Sequence, residues 1–551
     1  MNLGKLKNYL NLFSLQQAAV SIRDRFFAPE HEEVPYERWL EHTRISSRGY
    51  AKISKEVFHF QPTIGVYAHA EGRDRAAFVQ SLSLQTYRNV RPLKDCPEAE
   101  YTLFAGPGCT LTPDMLSSCV RLLNEDNGGY VDLVYFDSDC IDAEGRKTNP
   151  AFRPEYDPIL LRKVNYMGNV FLVRTALFRK VYGEMERDSG GKVSLDSDGV
   201  HAFLKRLCKG ERVRPGQERS GTVRHIPRIL YHEVLENARK VSVDRHIPLL
   251  KKDLELVSVI IPNKDHVRDL KSCIDSLLEV NAYHNLEIII VENNSSSPEI
   301  FQYYEEIQKR DERIHVYTYT GSFNYSRINN FGASKAHGRF LLFLNNDTVI
   351  LKPSSIWYLA SHAERQDVGA VGALLIYPDH TVQHAGVILG YGGIAGHAYQ
   401  GEELGELPGE YPELLFEHTR NVSAVTGACM LMRREVYEQA GGFDEELAVT
   451  FNDVDLCLRL RQEGYRILIC PNAELIHNES ASRGAEDSEE KVRRFHREIG
   501  IFVRRWEKEL EAGDPFYNPN LTLTGRTYTC KDPVREARAP YLKYLRMEEP
   551  E

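Results

Sequence analysis

The sequence contains no run of 18 or more apolar residues, so no membrane-spanning helix is expected. It has no uninterrupted apolar N-terminal stretch ending at a small-residue cleavage site, so no secretory leader is expected either. The ten cysteines stand singly, with no C-x-x-C pair and no regular framework. That pattern excludes a disulfide scaffold and a structural zinc site and points to buried thiols in a reducing compartment. An excess of positive charge is also lacking: the formal net charge is −10, which argues against broad nucleic-acid binding. No basic phosphate-loop signature occurs. What remains is an ordinary globular composition, 42% hydrophobic and 27% charged, in a chain of 551 residues. That length exceeds what one core usually serves, so two domains are expected. The expected location is cytoplasmic.

The first residues are patterned. Leu3, Leu6, Tyr9, Leu10, Phe13 and Leu15 recur near helical spacing, with Lys5, Lys7, Arg23 and Arg25 nearby. Two readings stand open. The helix lies on an anionic membrane surface, making the protein peripheral on the inner face of the cell membrane. Alternatively it packs on its own protein, the commoner fate of an amphipathic helix.

The chain repeats itself. Thr63 to Val90 (TIGVYAHAEGRDRAAFVQSLSLQTYRNV) echoes Val257 to Ile288 (VSVIIPNKDHVRDLKSCIDSLLEVNAYHNLEI). LFAGPGCTLTP from Leu103 pairs with LFLNNDTVILKP from Leu342. VFLVRTALFRKVYGEM from Val170 pairs with ACMLMRREVYEQAGGF from Ala428, and HIPRILYHE from His225 with CPNAELIHNE from Cys470. Matched blocks in one order indicate a duplicated domain. The expected division is a helical segment over 1–58, a first copy over 59–250, a second over 251–515 and a tail over 516–551.

The second copy opens with VSVIIP, a continuous apolar run typical of a strand buried on both faces. Helices are predicted at Val267–Glu279, Pro298–Arg310 and Tyr325–Ala336, between strands LEIIIVE, RIHVYTY and GRFLLFL. This β-α-β alternation is the pattern of a doubly wound, Rossmann-like α/β sheet, which binds ligands beyond the carboxyl ends of its strands. The loops Glu292–Ser297 and Asn345–Thr348 fall there.

These residues carry a resemblance. VENNSSS, FLNND, TGACMLMRR with GGFDE, FNDVDLCLRL and the His of ELIHNESASRG occur in the order found in the family 2 glycosyltransferases, over most of Val257 to Trp506. The resemblance implies two tandem GT-A-like domains, the second of them catalytic. It implies a UDP- or dTDP-sugar donor, a glycan or lipid-linked glycan acceptor and a Mn²⁺ or Mg²⁺ ion, in bacterial surface polysaccharide synthesis. Asn345-Asn346-Asp347 matches the family's D-x-D-like motif. Asp347 is the expected metal ligand, with Asn345 departing from the usual Asp, and His477 is a second ligand. Glu292 and Asn293 match the pair that contacts base and ribose, Asn329 and Asn330 the helix start facing the nucleotide, and Pro262 the end of the first strand. Asp453 matches the catalytic base, while Asp455 and Asp444 read as helix-dipole residues. A hydroxyl attacking an anomeric carbon needs a carboxylate to take its proton, and direct displacement inverts that carbon.

The first copy reads as degenerate. It has AGPGC where the second has LNND, and 40 residues from Thr63 to Leu103 against 85 from Val257 to Leu342. Asp137 and Asp139 are expected in a turn, and Asp196 and Asp198 sit near the place of the base motif. This half would hold the acceptor, form a homo-oligomer or brace its partner. Two other readings are a bifunctional transferase and a non-catalytic carbohydrate-binding scaffold. A nucleotidyltransferase rests on fold analogy alone.

Overall fold

In the strand Val257–Asn263 every second side chain goes to the same face. Val257, Val259 and Ile261 enter one apolar cluster and Ile260 enters another, on the opposite face. The first cluster is covered by helices Val267–Asp275, Pro298–Arg310 and Ser355–Ala363, the second by helices Asn452–Gln462 and Glu489–Arg505. A strand buried on both sides is why the sequence shows an apolar run there and no alternation.

The computed structural model describes residues 33–68, 72–125, 131–191, 193–208, 223–234, 255–407, 410–478 and 489–536. The helix expected around Leu3 to Leu15 and the boundary expected near residue 250 lie outside them. Helices Tyr36–Thr43 and Ser47–Ile53 precede the first sheet. Among the described residues no helix is long and apolar enough to cross a membrane, and all ten cysteines are buried thiols.

The first sheet contains β1 (Ile64–Ala68), β2 (Val90–Pro92), β3 (Tyr101–Ala105), β4 (Cys109–Leu111), β5 (Leu133–Ile141), β6 (Lys147–Ala151), β7 (Val170–Arg174) and β8 (Val223–Val234). The second contains β9 (Val257–Asn263), β10 (Leu286–Glu292), β11 (Ile314–Thr318), β12 (Phe340–Leu344), β13 (Thr348–Ile350), β14 (Val368–Ile376) and β15 (Val382–His384). After the small β16–β17 hairpin (Val387–Leu389, Ala395–His397) it is completed by β18 (Arg420–Asn421), β19 (Cys429–Arg433) and β20 (Arg466–His477).

The first sheet runs β2-β1-β3-β7-β5-β8-β4 and the second β11-β10-β9-β12-β19-β14-β20-β13. Apart from β11 the two orders coincide strand for strand. The directions coincide as well: β3 meets β7 and β12 meets β19 antiparallel, while β5 and β8, like β14 and β20, are parallel. Both sheets are therefore mixed, with a parallel α/β half joined to a half that contains both antiparallel and parallel pairs. Among the described residues the first lacks the counterpart of β11, and a short turn at Leu93–Asp95 stands where the second sheet's helices and third strand would enter. This accounts for the shorter spacing between its strands.

Asp137 and Asp139 are not turn residues. Both lie inside β5 and are buried. Asp137 Oδ1 accepts hydrogen bonds from Arg153 N and His225 Nε2, each at 2.9 Å. Asp139 meets His232 Nδ1 and accepts from the Tyr36 hydroxyl at 2.7 Å. The error arose because a D-x-D spacing beside Cys140 resembles a strand exit, whereas a buried carboxylate can stay mid-strand when every oxygen has a donor.

The halves are laced together. Asp157 caps the helix Pro158–Leu161 through Ile159 N and Leu160 N and also accepts from Asn421 N (2.7 Å) and Asn421 Nδ2 (2.8 Å) of the other half. The segment after the last helix returns across both. Asn518 Nδ2 donates to Asp137, and Asn520 Nδ2 to Pro227 O; Asp514 accepts from Leu389 N, and Thr527 Oγ1 from Tyr399 N. Asp157→Ala removes a cap and strands the buried Asn421 amide. It should lower unfolding stability by about 2–4 kcal/mol, measured by urea denaturation; an unchanged midpoint would show that the link carries no load.

Candidate functional site

The site grows from one short ladder. β13 follows the Asn345-Asn346-Asp347 loop and pairs antiparallel with the end of β20, setting Thr348 opposite His477. Asn478 N donates to Asp347 O at 3.0 Å, continuing the pairing past the strand. The carboxylate of Asp347 thereby reaches His477, with Oδ1 3.2 Å from Nε2 and both residues buried. His477 Nδ1 donates to Gln383 Oε1 at 2.7 Å. That bond fixes the tautomer, so Nε2 turns its lone pair toward Asp347 Oδ1 and Asn345 Nδ2, which is at 3.2 Å. Two buried acceptors facing one another at this distance suit a shared cation. Below the loop, burial pushes the Cys273 thiol up to about 12, so it stands protonated at neutral pH.

Asp453 arrives from another direction. Phe451, at φ 61°, precedes the helix Asn452–Gln462 in the left-handed region and is held there by stacking on Phe502 at 4.8 Å. A non-glycine residue in this conformation costs about 1–3 kcal/mol and marks a position that the fold over-determines. The turn aims Asp453, partly exposed, at the start of β19, where its Oδ2 accepts from Gly427 N at 2.8 Å. The Tyr325 hydroxyl lies 2.9 Å from Gly427 O and 3.2 Å from Asn345 Oδ1. Asp453 and the Asn345–Asp347 loop are thus one hydrogen-bonded assembly. Asp455 is no part of it. It is fully buried and accepts from Arg459 Nε (2.9 Å), Arg505 Nη1 (2.7 Å) and Trp506 Nε1 (3.0 Å). Asp444 likewise pairs with Arg505 at 2.6 Å.

The remaining residues singled out from sequence line the ends of β9, β10 and the helix Tyr325–Lys335. Pro262 stands beside Val291 in the β9–β10 ladder and is partly exposed. Glu292 is buried and accepts from Ser295 N (2.6 Å) and the Tyr304 hydroxyl (2.7 Å). Asn293 Nδ2 donates to Tyr319 O and Gly321 O. In this structure the pair braces the loops after β10 and β11. Asn346 Nδ2 donates to Asn263 Oδ1 at 2.6 Å and ties the metal-candidate loop to the end of β9. Asn329 is buried in its helix, donating to Tyr325 O, and Asn330 grips the glycine turn through Phe443 N and O.

Sequence reasoning missed Gln383, Tyr325 and His384. His384 Nε2 accepts from Thr426 N, and its Nδ1 meets His397 Nδ1 at 2.7 Å. Burial, and then the neighbouring His397, hold His384 well below the usual histidine range, so its Nδ1 is the donor in that contact. The signal was available in TVQHAG, a Gln-His pair inside an otherwise apolar strand edge.

The first half has the same scaffold with other side chains. Gly106 N donates to Asn169 O as Asn345 N does to Ala428 O, and Val234 N to Gly108 O as Asn478 N does to Asp347 O. By that register Gly106, Pro107 and Gly108 replace Asn345, Asn346 and Asp347. Glu233, not His232, takes the place of His477, because Cys109 faces Glu233 across β4–β8. Asp196 caps the helix Ser197–Leu207 through Gly199 N, at the position of the Asp453 turn.

Residues 255–500 match the family described as Glycosyltransferase like family 2. The C-terminal half is a family 2 glycosyltransferase domain. The chain is also similar to the O-antigen biosynthesis protein RfbC of Myxococcus xanthus, 35% identical over 77% of this chain and 34% of that one. It is 32% identical to the protein y4gI of Sinorhizobium fredii over 77% of this chain and 48% of that one. An N-acetylglucosaminyl-diphospho-decaprenol L-rhamnosyltransferase of Mycobacterium tuberculosis is 33% identical over 29% of this chain and 53% of that one. The chain thus spans about a third of the length of RfbC and about half that of y4gI. Asp455→Ala would leave Arg459 and the Trp506 indole N–H without their carboxylate and Arg505 with Asp444 alone. The domain's unfolding free energy should fall by about 1–3 kcal/mol, seen as an earlier urea midpoint; an equal midpoint would make the cluster dispensable.

Proposed function

We propose that the chain is an inverting glycosyltransferase that moves a sugar from a nucleoside-diphosphate donor to a hydroxyl of a growing glycan, in the synthesis of a surface polysaccharide. The observation that carries this reading is the linked placement of Asp347, His477 and Asp453 at the carboxyl ends of the strands of the family 2 domain. The name of RfbC supports a polysaccharide product, and that of the mycobacterial relative supports transfer to a lipid-linked acceptor.

Asp347 and His477 fit a divalent cation. Two protein ligands suffice for an ion that keeps its other positions for water and phosphate oxygens. A bound Mn²⁺ or Mg²⁺ would offset the charge developing on the departing diphosphate. Gln383 holds His477 in the tautomer whose Nε2 can donate a lone pair. Asn345 keeps a neutral amide where the family commonly has an acid, which lowers the site's negative charge. Among the described residues no group of three or more His, Cys, Asp or Glu is clustered for a metal, so metal affinity should depend on the donor's phosphates. Pro262, Glu292, Asn293, Asn329 and Asn330 mark the side on which a UDP- or dTDP-sugar would lie.

Asp453 takes the proton. The acceptor oxygen forms its bond to the anomeric carbon as the bond to the diphosphate oxygen breaks, and the hydroxyl proton passes to the carboxylate. Gly427 N occupies Oδ2 of Asp453, and Val454 N bonds Oδ1, which fixes the carboxylate's direction. The first half, with Gly108 in the place of Asp347, reads as a degenerate copy with no transfer site of its own.

Chelation by EDTA should reduce sugar transfer to background, and Mn²⁺ or Mg²⁺ should restore it; full turnover in EDTA would end the metal-dependent reading. Asp453→Asn keeps the shape but cannot accept the proton, and general-base assistance is worth about 10²–10⁴ in rate. Turnover should fall by that factor while donor binding by calorimetry stays near wild type. A folded variant with normal turnover would remove Asp453 from the base role.

A further inference from the structure

A large cavity lies away from the family 2 domain's Asp347–His477 site. It lies over the first sheet, with a volume of about 2220 Å³. Its floor includes Asn165, Gly168, Asn169, His232 and Glu233. In the shared strand register Gly168 and Asn169 correspond to Gly427 and Ala428, and Glu233 to His477. The cavity therefore occupies, in the first half, the place of the reaction centre in the second. Its walls are the helices Tyr36–Thr43 and Ser47–Ile53, the β6 edge, Tyr411 to Glu417 from the second half and residues 520–530 of the C-terminal segment.

We propose that this cavity binds an uncharged stretch of the acceptor glycan, several sugar units long, while the family 2 domain acts on the chain's end. The proposal rests on the glycosyltransferase reading above. Size comes first: small-molecule pockets are about 300–1,000 Å³, so the space exceeds one sugar or one nucleotide. Charge comes second. The lining holds six carboxylates and six cationic side chains, and some are already matched, as Arg228 with Asp114 at 2.6 Å. Such a balance gives no net positive field to draw in a polyanion. Chemistry comes third. Tyr36, Tyr50, Tyr411 and Tyr528 present partly exposed rings, apolar bodies with polar tips suited to sugar C–H faces and hydroxyls. Among them stand fixed hydrogen-bonding groups. Arg153 is locked by bonds to Tyr166 O, Phe136 O and Ser138 Oγ. Asn165 Oδ1 is buried without a hydrogen bond, and Lys147 Nζ lies 3.1 Å from His232 Nε2. The donor side has gone with the counterpart of β11, while the acceptor side has been walled in.

The test uses the full chain and tri- to octasaccharides released from the source organism's own surface polysaccharide. Saturation-transfer NMR should show contact with sugar protons that excess UDP or dTDP does not displace. Asn169→Ala should weaken oligosaccharide binding at least tenfold by calorimetry. Lys147→Ala, on an exposed hairpin that tolerates change, should weaken it as well, with nucleotide binding and donor-sugar hydrolysis unaltered in both. No transfer, displacement by nucleotide, or unchanged affinity in both variants would overturn the proposal. Absence of nucleotide binding and of donor hydrolysis by the wild-type chain would instead count against the transferase reading, independently of the NMR result.

Discussion

Three residue pairs, Thr348 with His477, Val349 with Ile476 and Ile350 with Leu475, hold the centre of this molecule together. β13 is too short to be stable alone, and it exists because β20 offers a partner edge. Its register decides whether the loop before it meets His477 at all: a one-residue slip would turn His477 to the other face of the sheet. Everything chemical in the second half hangs from that pairing. Asp347 is placed by it, His477 is oriented within it by Gln383, and Asn345 is carried to Tyr325, which joins the assembly to the Asp453 turn.

The first half keeps the ladder with other residues at its loop. β4 pairs with β8 in the same way, yet a glycine stands where Asp347 would be and a glutamate where His477 would be. The scaffold survives because its stability comes from apolar burial along β3, β5 and β7, which is indifferent to the loop. Deep in that sheet, Asp137 and Asp139 sit where the second sheet has Leu374 and Ile376. Burying carboxylates costs several kcal/mol unless they are paired and hydrogen-bonded. Here they are satisfied by His225, Arg153, Asn518, His232 and Tyr36. Two of those donors, Tyr36 and Asn518, come from the N-terminal helix and the C-terminal segment. The carboxylates thereby draw distant segments onto the first half, and those segments wall the large cavity.

Much of this was legible in the residues. The apolar runs of β9, β10 and β12, the helix Pro298–Arg310 and the repeated blocks announce a duplicated α/β chain through periodicity alone, because burial on both faces writes itself into local sequence. The polar set of the site was legible as motifs. Where the reading failed, at Asp137 and Asp139, the local spacing was right and the surroundings were invisible. Gln383 went unnoticed because its importance lies wholly in a partner 94 residues away.

The sequence by itself determined the elements, the repeat, the family resemblance and the roll of polar residues, since each depends on neighbours within a turn or a strand. Only the tertiary structure decided which of those residues share a site. Asp453 and Asp455 are two positions apart on one helix, yet one faces Gly427 at the end of β19 and the other is sealed against Arg505 and Trp506. The helix period separates their directions, but what waits in each direction is set by strand order and packing of residues 26 to 51 positions away, which no local pattern encodes.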